Sequence, residues 1–164
     1  MLRHFFNILL WILPPTRLFP FRNLLLRIAG VKLGKNVCFC GQSWIYGRGS
    51  LDIGDDTWIS PGAVIFTHQE AEIVIGSNCD IGPGVEFITG THEIGPRNRR
   101  AGNGYARKIC VGDGVWIGAK SIILGGVAIG AGSIIAAGSL VKSDVPENCL
   151  VAGVPSVMKR SLSL

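Results

Sequence analysis

The chain has 164 residues, which is enough for one domain with a sizeable core. It contains 23 glycines and 48% hydrophobic residues without a collagen triplet, which excludes a disordered chain and favours a β-solenoid. The formal net charge is +5, and the 5 cysteines include no Cys-x-x-Cys pair, which argues against a zinc knuckle or a redox motif and predicts reduced, buried thiols in a cytoplasmic protein.

The first 30 residues carry two apolar segments, over 4–13 and 19–28. The first is shorter than the roughly 20 residues that cross a bilayer, and the small-residue cleavage pattern of a signal peptide does not follow it. Arginines in and around the second segment are typical of helices that lie in a membrane interface. We therefore expect residues 1–30 to form helices that cap the open end of a solenoid, that lie on a membrane surface, or that do both.

From residue 31 onward, large apolar residues recur about every six positions. Three coils can be assigned in this part, each with three such positions: Leu33, Phe39 and Ile45, then Ile53, Ile59 and Ile65, then Ile75, Ile81 and Phe87. Successive coils are slightly longer than three hexads, which predicts short bulges at the corners.

An excursion then interrupts the repeat over residues 93–110. It contains three glycines, one proline and five basic residues: Arg97, Arg99, Arg100, Arg107 and Lys108. A long irregular loop that leaves a regular scaffold is usually functional or mobile. Thr91-His92 stands directly before it, so this histidine is the first candidate for a reactive side chain.

The repeat becomes strict between Val111 and Pro146, where one column is purely aliphatic: Val111, Ile117, Ile123, Ile129, Ile135 and Val141. Neither an α-helix nor an alternating strand has a period of six. A three-sided coil of short parallel strands has that period, with glycine at the corners because it adopts positive φ cheaply. The sequence predicts an all-β solenoid of about five coils over residues 31–164, with 93–110 as an inserted loop.

Four features resemble the left-handed parallel β-helix O-acetyltransferases: the hexapeptide repeat, Thr91-His92, the run 115–119 (Val-Trp-Ile-Gly-Ala) and the terminal run 152–155 (Ala-Gly-Val-Pro). That family includes galactoside, maltose, Nod-factor and xenobiotic acetyltransferases. The resemblance covers roughly residues 33–160, and the N-terminal run looks like polysaccharide-tailoring members. It implies a left-handed coil, acetyl-CoA as co-substrate, no metal, and a homotrimer with active sites between neighbouring prisms.

The resemblance places His92 at the family's catalytic histidine. Acetyl transfer from a thioester to a hydroxyl needs a base for the proton and a donor for the oxyanion, and an imidazole with a pKa of about 6.5 suits the first task. A backbone amide of Gly118 or Ala119 from a neighbouring copy is expected to supply the second. The alternative for His92 is a solvated loop histidine, and His68 either binds the acceptor, orients the base, or is a plain corner histidine.

The same resemblance implies that Trp116, Ala119, Ala137 and Lys142 contact coenzyme A, while position and charge in the chain indicate the other binding residues. Coenzyme A is expected to contact Trp116, Gly118, Ala119, Ala137 and Lys142, with Lys159 and Arg160 near its 3′-phosphate; the acceptor is expected to contact His68, Glu93, Arg97, Arg99 and Tyr105. The chain departs from the family pattern at Lys142-Ser143, where Thr-Lys is common, and at Val157, where an arginine is common. The basic excursion suggests an anionic acceptor or a phosphate-linked carrier.

The sequence thus predicts an acetyl-CoA-dependent O-acetyltransferase acting on a sugar hydroxyl of a surface polysaccharide or its precursor, cytoplasmic and at the inner membrane face if residues 1–30 bind lipid. N-acetylation of an amino sugar and a non-catalytic scaffold stay open as alternatives. A γ-class carbonic anhydrase needs three zinc-binding histidines, and one of the three here, His4, lies in the apolar N-terminal run. Nucleic-acid binding is disfavoured because Tyr105 is the only aromatic residue among the basic ones of the excursion.

Overall fold

The computed structural model describes residues 2–162, which contain two helices and 19 strands. The helices are α1 (Leu2–Ile12) and α2 (Phe19–Ile28). The strands are β1 (Lys32–Leu33), β2 (Cys38–Phe39), β3 (Trp44–Tyr46), β4 (Leu51–Ile53), β5 (Trp58–Ile59), β6 (Val64–Phe66), β7 (Ile73–Ile75), β8 (Asp80–Ile81), β9 (Glu86–Ile88), β10 (Gly90–Ile94), β11 (Ala101–Ala106), β12 (Ile109–Val111), β13 (Trp116–Ile117), β14 (Ile122–Leu124), β15 (Ala128–Ile129), β16 (Ile134–Ile135), β17 (Leu140–Val141), β18 (Cys149–Gly153) and β19 (Ser156–Ser161).

Apart from β10 and β11, the strands form three sheets, which we name by face. Face A contains β1, β4, β7, β12 and β15; face B contains β2, β5, β8, β13, β16 and β18, with β19 added antiparallel at its end; face C contains β3, β6, β9, β14 and β17. All other neighbours within these sets are parallel, and the chain visits the faces in the order A, B, C. The predicted solenoid of parallel strands with a short helical N-terminus is confirmed in this coarse form.

The core is a set of aliphatic columns inside the prism. Ile81, Ile117 and Ile135 align in register on face B, and each is at most 1% exposed. Because each strand buries one residue and sends its neighbour outward, the outer faces are built from the residues beside these columns. The corners between faces use positive φ, for example 66° at Gly114 and 67° at Gly132, as the glycine pattern predicts.

The two N-terminal helices cover the first coil. α1 packs on β3, while α2 packs on β1 and β2, and this burial leaves Leu10 and Leu26 each 1% exposed. Two amide side chains meet the open strand edges: Asn7 Nδ2 donates to Ile45 O at 2.9 Å, and Asn23 Nδ2 donates to Val37 O at 2.8 Å. These bonds satisfy carbonyl groups that an uncapped first coil would leave unpaired.

The buried Arg22 holds the connection between the helices. Its guanidinium donates to four carbonyl oxygens, on Leu10, Leu13, Pro14 and Arg17, at 2.7–3.0 Å. Three of these carbonyls lie in the last turn of α1 or just beyond it, where helical partners are missing. Burial lowers the pKa of Arg22 because it disfavours the charged form.

The excursion differs from the irregular loop expected over 93–110. β10 and β11 form an antiparallel hairpin, in which His92 lies opposite Gly104. Residues 109 and 110 already belong to β12 on face A, paired with Ile73 and Val74. Glycines in GTHEI and AGNGYA concealed these strands, because glycine is depleted in sheets and cross-strand pairing overrides that preference here.

Candidate active site

An open pocket of about 590 Å³ lies where the hairpin leaves face C. Its lining includes both histidines that follow face C, His68 and His92, together with Tyr105 from the hairpin and Phe66 from β6. The histidines come from neighbouring coils because β6 and β9 are adjacent in face C. The fold therefore gathers two imidazoles and two aromatic rings around one space.

His92 projects from β10 over the glycine opposite it. A Cβ placed on Gly104 would lie 3.6 Å from both Cδ2 and Nε2 of the imidazole, so the ring lies in contact distance of this backbone. The side chain is exposed to solvent in the single chain. An imidazole in this setting is accessible to an acceptor hydroxyl, as a general base must be.

His68 is oriented by its own turn. The backbone N–H of Glu70 donates to His68 Nδ1 at 3.2 Å. With Nδ1 engaged as an acceptor, the neutral ring carries its proton on Nε2. His68 is therefore suited to donate a hydrogen bond into the pocket rather than to take a proton from the acceptor.

An aromatic strip continues from the pocket along face C, and the sequence reasoning missed it. The rings of Phe66 and Tyr46 stack at a centroid distance of 4.7 Å and an angle of 6°. Trp44 lies 5.9 Å from Tyr46, and Trp11 of α1 lies 6.4 Å from Trp44. The sequence signal was an aromatic residue directly after the core positions Ile45 and Ile65, because outward positions on a soluble sheet are usually polar. The pairing of Tyr46 with Phe66 follows only from the strand register.

The remaining predicted acceptor residues lie outside the pocket. Glu93 alternates to the other side of β10 from His92, and its carboxylate accepts from Asn103 Nδ2 at 3.4 Å. Arg97 and Arg99 lie at the exposed tip of the hairpin, where Arg99 N–H donates to Pro96 O. Within one chain these three side chains are therefore not joined to His92.

The predicted donor residues occupy a different part of the prism. Trp116 projects from face B and is 55% exposed. In register across that face follow Ile134, Leu150 and, on the returning strand β19, Arg160. Lys159 is the extra residue at the irregularity in the β18–β19 pairing, and Lys142 lies at the exposed corner that follows face C.

The corner between faces B and C is packed backbone to backbone. Gly118 N–H donates to Ile135 O at 2.7 Å and Gly138 N–H donates to Ala119 O at 2.8 Å. Within residues 2–162, the N–H groups of Ala119 and Ala137 meet no protein acceptor. Of the two amides expected to meet the oxyanion, that of Gly118 is thus engaged inside the scaffold, and that of Ala119 is the one available.

A metal centre has no counterpart in the described residues. Among residues 2–162, no group of three or more His, Cys, Asp or Glu side chains converges to hold an ion. His4 instead packs edge-on against Trp44, with centroids 5.4 Å apart.

Comparison with known proteins gives the family. The profile of the bacterial transferase hexapeptide family (six repeats) matches residues 111–143. A hexapeptide-repeat acetyltransferase from Vibrio cholerae, solved in complex with acetyl coenzyme A, superposes with a TM-score of 0.86 at 32% identity, covering 99% of this chain and 86% of that one. The chain belongs to the hexapeptide-repeat acetyltransferase family.

The names of two relatives bear on function. Galactoside O-acetyltransferase from Lactococcus lactis is 37% identical over 130 residues, which is 79% of the chain but only 55% of the relative's own length. WcaF from Escherichia coli is named for an acetyltransferase role in colanic acid biosynthesis. It is 30% identical over 146 residues, which cover 89% of the chain and 78% of WcaF.

A single chain does not bring all the predicted site residues together. The His92 pocket opens beside face C, whereas Trp116 and Arg160 lie on face B. Donor residues are absent from the lining of that pocket as described. The His92 pocket and the predicted donor residues therefore lie on two different faces of a single prism, and we name these two predicted sets the half-sites.

Proposed function

We propose that the protein is an acetyl-CoA-dependent O-acetyltransferase that modifies a sugar hydroxyl of a surface polysaccharide or its precursor. The observation that carries the proposal is the pocket that brings His92, His68 and two aromatic rings together at the exit of the hairpin. Relatives named for galactoside and colanic acid acetylation support a sugar acceptor, and the relative solved with acetyl coenzyme A supports the donor.

The two half-sites support a homotrimer with a left-handed coil, the arrangement that the family resemblance implies. In a cyclic trimer, every copy presents face C to one neighbour and face B to the other. His92 of one copy would then face Trp116 and Ala119 of the next. Arg97 and Arg99 at the hairpin tip would reach over the same neighbour, where they suit an anionic acceptor or a phosphate-linked carrier.

The proposed reaction is a direct transfer. His92 accepts the proton of the acceptor hydroxyl as its oxygen attacks the thioester carbonyl carbon, and the N–H of Ala119 from the neighbouring copy stabilises the oxyanion. The carbon–sulfur bond then breaks, and the imidazolium of His92 returns the proton to the departing thiolate. The products are the sugar acetate and free coenzyme A, with the enzyme in its starting state.

The other pocket residues would position the acceptor. His68 Nε2–H is placed to donate to a second hydroxyl, since its Nδ1 is already occupied by Glu70. Phe66 and Tyr105 offer flat apolar surfaces for the face of a pyranose ring. In this proposal a cytoplasmic enzyme acetylates the glycan before export.

The test is thiol release from acetyl-CoA across a panel of sugars, comparing wild type with His92→Asn and, as a matched control, His68→Asn. Loss of the base should lower kcat by about 10²–10⁴-fold, whereas His68→Asn should mainly raise the KM of the acceptor. Hydroxylamine cleaves the product if it is an ester, which separates O-acetylation from N-acetylation.

Three outcomes would contradict the proposal. If His92→Asn turned over nearly as fast as wild type, His92 would not be the base. If the product resisted hydroxylamine, the acceptor group would be an amine rather than a hydroxyl. If the protein did not bind coenzyme A in calorimetry, it would be a non-catalytic scaffold rather than an enzyme.

A further inference from the structure

Both N-terminal helices are apolar on the side that faces solvent. α1 exposes Phe5, Ile8 and Ile12 at helical spacing, and Ile12 reaches 72%. α2 likewise exposes Phe21, Leu24 and Ile28, each about half accessible. These residues lie opposite the stripes that pack on the first coil, so each helix is apolar on two sides. A surface helix of a purely soluble domain has charged residues there instead.

The charged residues before Asp52 are all basic, and the carboxylates of Asp55 and Asp56 accept hydrogen bonds from Lys35 N–H and Asn36 Nδ2. All 11 acidic residues of the chain lie at or after Asp52, while seven lysines and arginines precede it. Arg22 is buried by its carbonyl partners, and Lys32 pairs with Asp52 at 3.0 Å. The other exposed cations of this part are Arg17, Arg27, Lys35 and Arg48.

We propose that the α1–α2 end docks on an anionic membrane surface. The apolar stripes would enter the boundary between headgroups and acyl chains, and the cations around them would meet lipid phosphates. No helix among residues 2–162 has the length and hydropathy to cross a bilayer, so the helices lie in the interface. A self-complementary contact of this end with a second copy is disfavoured, because it would bring the same positive charge against itself.

The proposed trimer would strengthen this contact. Cyclic symmetry directs all three helix pairs toward the same end of the assembly, so three weak contacts act together on one surface. The pocket of His92 lies between the second and third strands of face C, roughly 10 Å from the docked end at one strand spacing per step. This part rests on the proposed function and suits an acceptor carried on a lipid.

The docking itself is tested without any activity assay. The full chain is sedimented with vesicles of phosphatidylcholine alone and with vesicles enriched in phosphatidylglycerol, at low and high salt. We expect tighter binding to the anionic vesicles, weakened by salt. The variant Phe21→Ser with Leu24→Ser should lower partitioning about tenfold, and Arg17→Gln should lower it about fivefold.

Matched controls come from the hairpin. Ile94 is 90% exposed, so Ile94→Ser removes an even more accessible apolar side chain, and Lys108→Gln removes an exposed cation, both away from the helices. Neither should change vesicle binding. Circular dichroism confirms folding, and Arg17→Gln keeps the test valid if the serine variant does not fold.

Three results would overturn the proposal: absence of vesicle binding by wild type, equal loss in helix and hairpin variants, or a changed oligomeric mass of the serine variant. The last result would assign the apolar face to a contact between copies. Because acetyl transfer to a soluble sugar is measured separately, a failure of docking leaves the proposed function intact, and the reverse also holds.

Discussion

Trp116 and Arg160 stand on one row of face B, three strands apart, with Ile134 and Leu150 between them. At one strand spacing per step the two side chains are roughly 14 Å apart along the prism axis. A long, thin donor such as coenzyme A would run along this row, with its thiol end near the indole and its phosphate end near the guanidinium. The strand register alone thus gives the order of the predicted donor contacts along the row.

Arg160→Gln should raise the KM for acetyl-CoA about tenfold with kcat unchanged, because one charge-assisted contact to a phosphate is lost in ground state and transition state alike. The decisive measurement uses 3′-dephospho-acetyl-CoA. The wild type should lose affinity for this analogue, whereas Arg160→Gln should use both donors equally well. Arg48→Gln, an exposed cation of the first coil, serves as control. If the variant still discriminated the analogue fully, another residue would hold the phosphate.

Mixed assemblies test whether neighbouring copies complete the site. His92→Asn and Trp116→Ala should each be strongly impaired alone. When the two are refolded together, about a quarter of the interfaces in a cyclic trimer combine an intact His92 with an intact Trp116. The specific activity should therefore rise well above either variant. Activity that merely averages the two parents would mean that each site is built from a single chain.

Gly118 is expected to be irreplaceable for packing rather than for backbone freedom. A Cβ at this position would lie 2.5 Å from the Ala137 nitrogen and 2.8 Å from its Cα. Gly118→Ala should therefore cost about 1–3 kcal/mol of unfolding free energy, read as a lower denaturation midpoint. The comparison is Gly90→Ala, where a Cβ meets no atom within 4 Å. Equal stability of the two variants would contradict this account.

The thiol of Cys40 should be nearly inert at neutral pH. Burial, with a smaller effect of the Cys38 thiolate, raises the pKa of Cys40 to about 11, although the nearby Arg22 acts in the opposite direction. At pH 8 roughly a thousandth of this thiol is ionised. Alkylation followed by mass spectrometry should label the half-exposed Cys110 first and Cys40 last.

The same shift has a consequence for stability. Since the folded pKa of Cys40 lies above the usual thiol value of about 8.5, its burial stabilises the fold fully below that pH. The contribution is lost as the pH rises toward 11. Cys40→Ala should therefore flatten the alkaline side of the stability profile, and an unchanged profile would show that this thiol does not matter there.

The sequence predicted the regular parts well for a physical reason. In a solenoid, one inward residue such as Ile117 repeats at a fixed period, and every coil imposes the same demand, so periodicity alone reveals the three-sided architecture. Local patterns also located His92, because it directly precedes the break in that period. Two other members of its pocket, His68 and Tyr105, were candidates from the preceding coil and from the excursion, and only the structure shows that they share one space with His92.

Tertiary relationships were less accessible. The strand alternation that turns Glu93 away from His92 exists only because β10 pairs with β11, and four glycines over residues 90–104 concealed that hairpin. Tyr46 stacks on Phe66 although two strands, β4 and β5, lie between them in the chain, and only the register of β3 against β6 aligns the two rings. Such contacts depend on which strands become neighbours, which a linear period does not specify.

The side-chain amides that close the first coil also limit how large an assembly can grow. An open prism end displays backbone groups at the same spacing as the opposite end, so prisms could stack head to tail into an endless fibre. Asn7 and Asn23 occupy those positions with bonds of 2.9 and 2.8 Å, and β19 folds back over β18 at the other end of face B. These contacts oppose growth along the axis at both ends, which leaves the sides of the prism for any contact between copies.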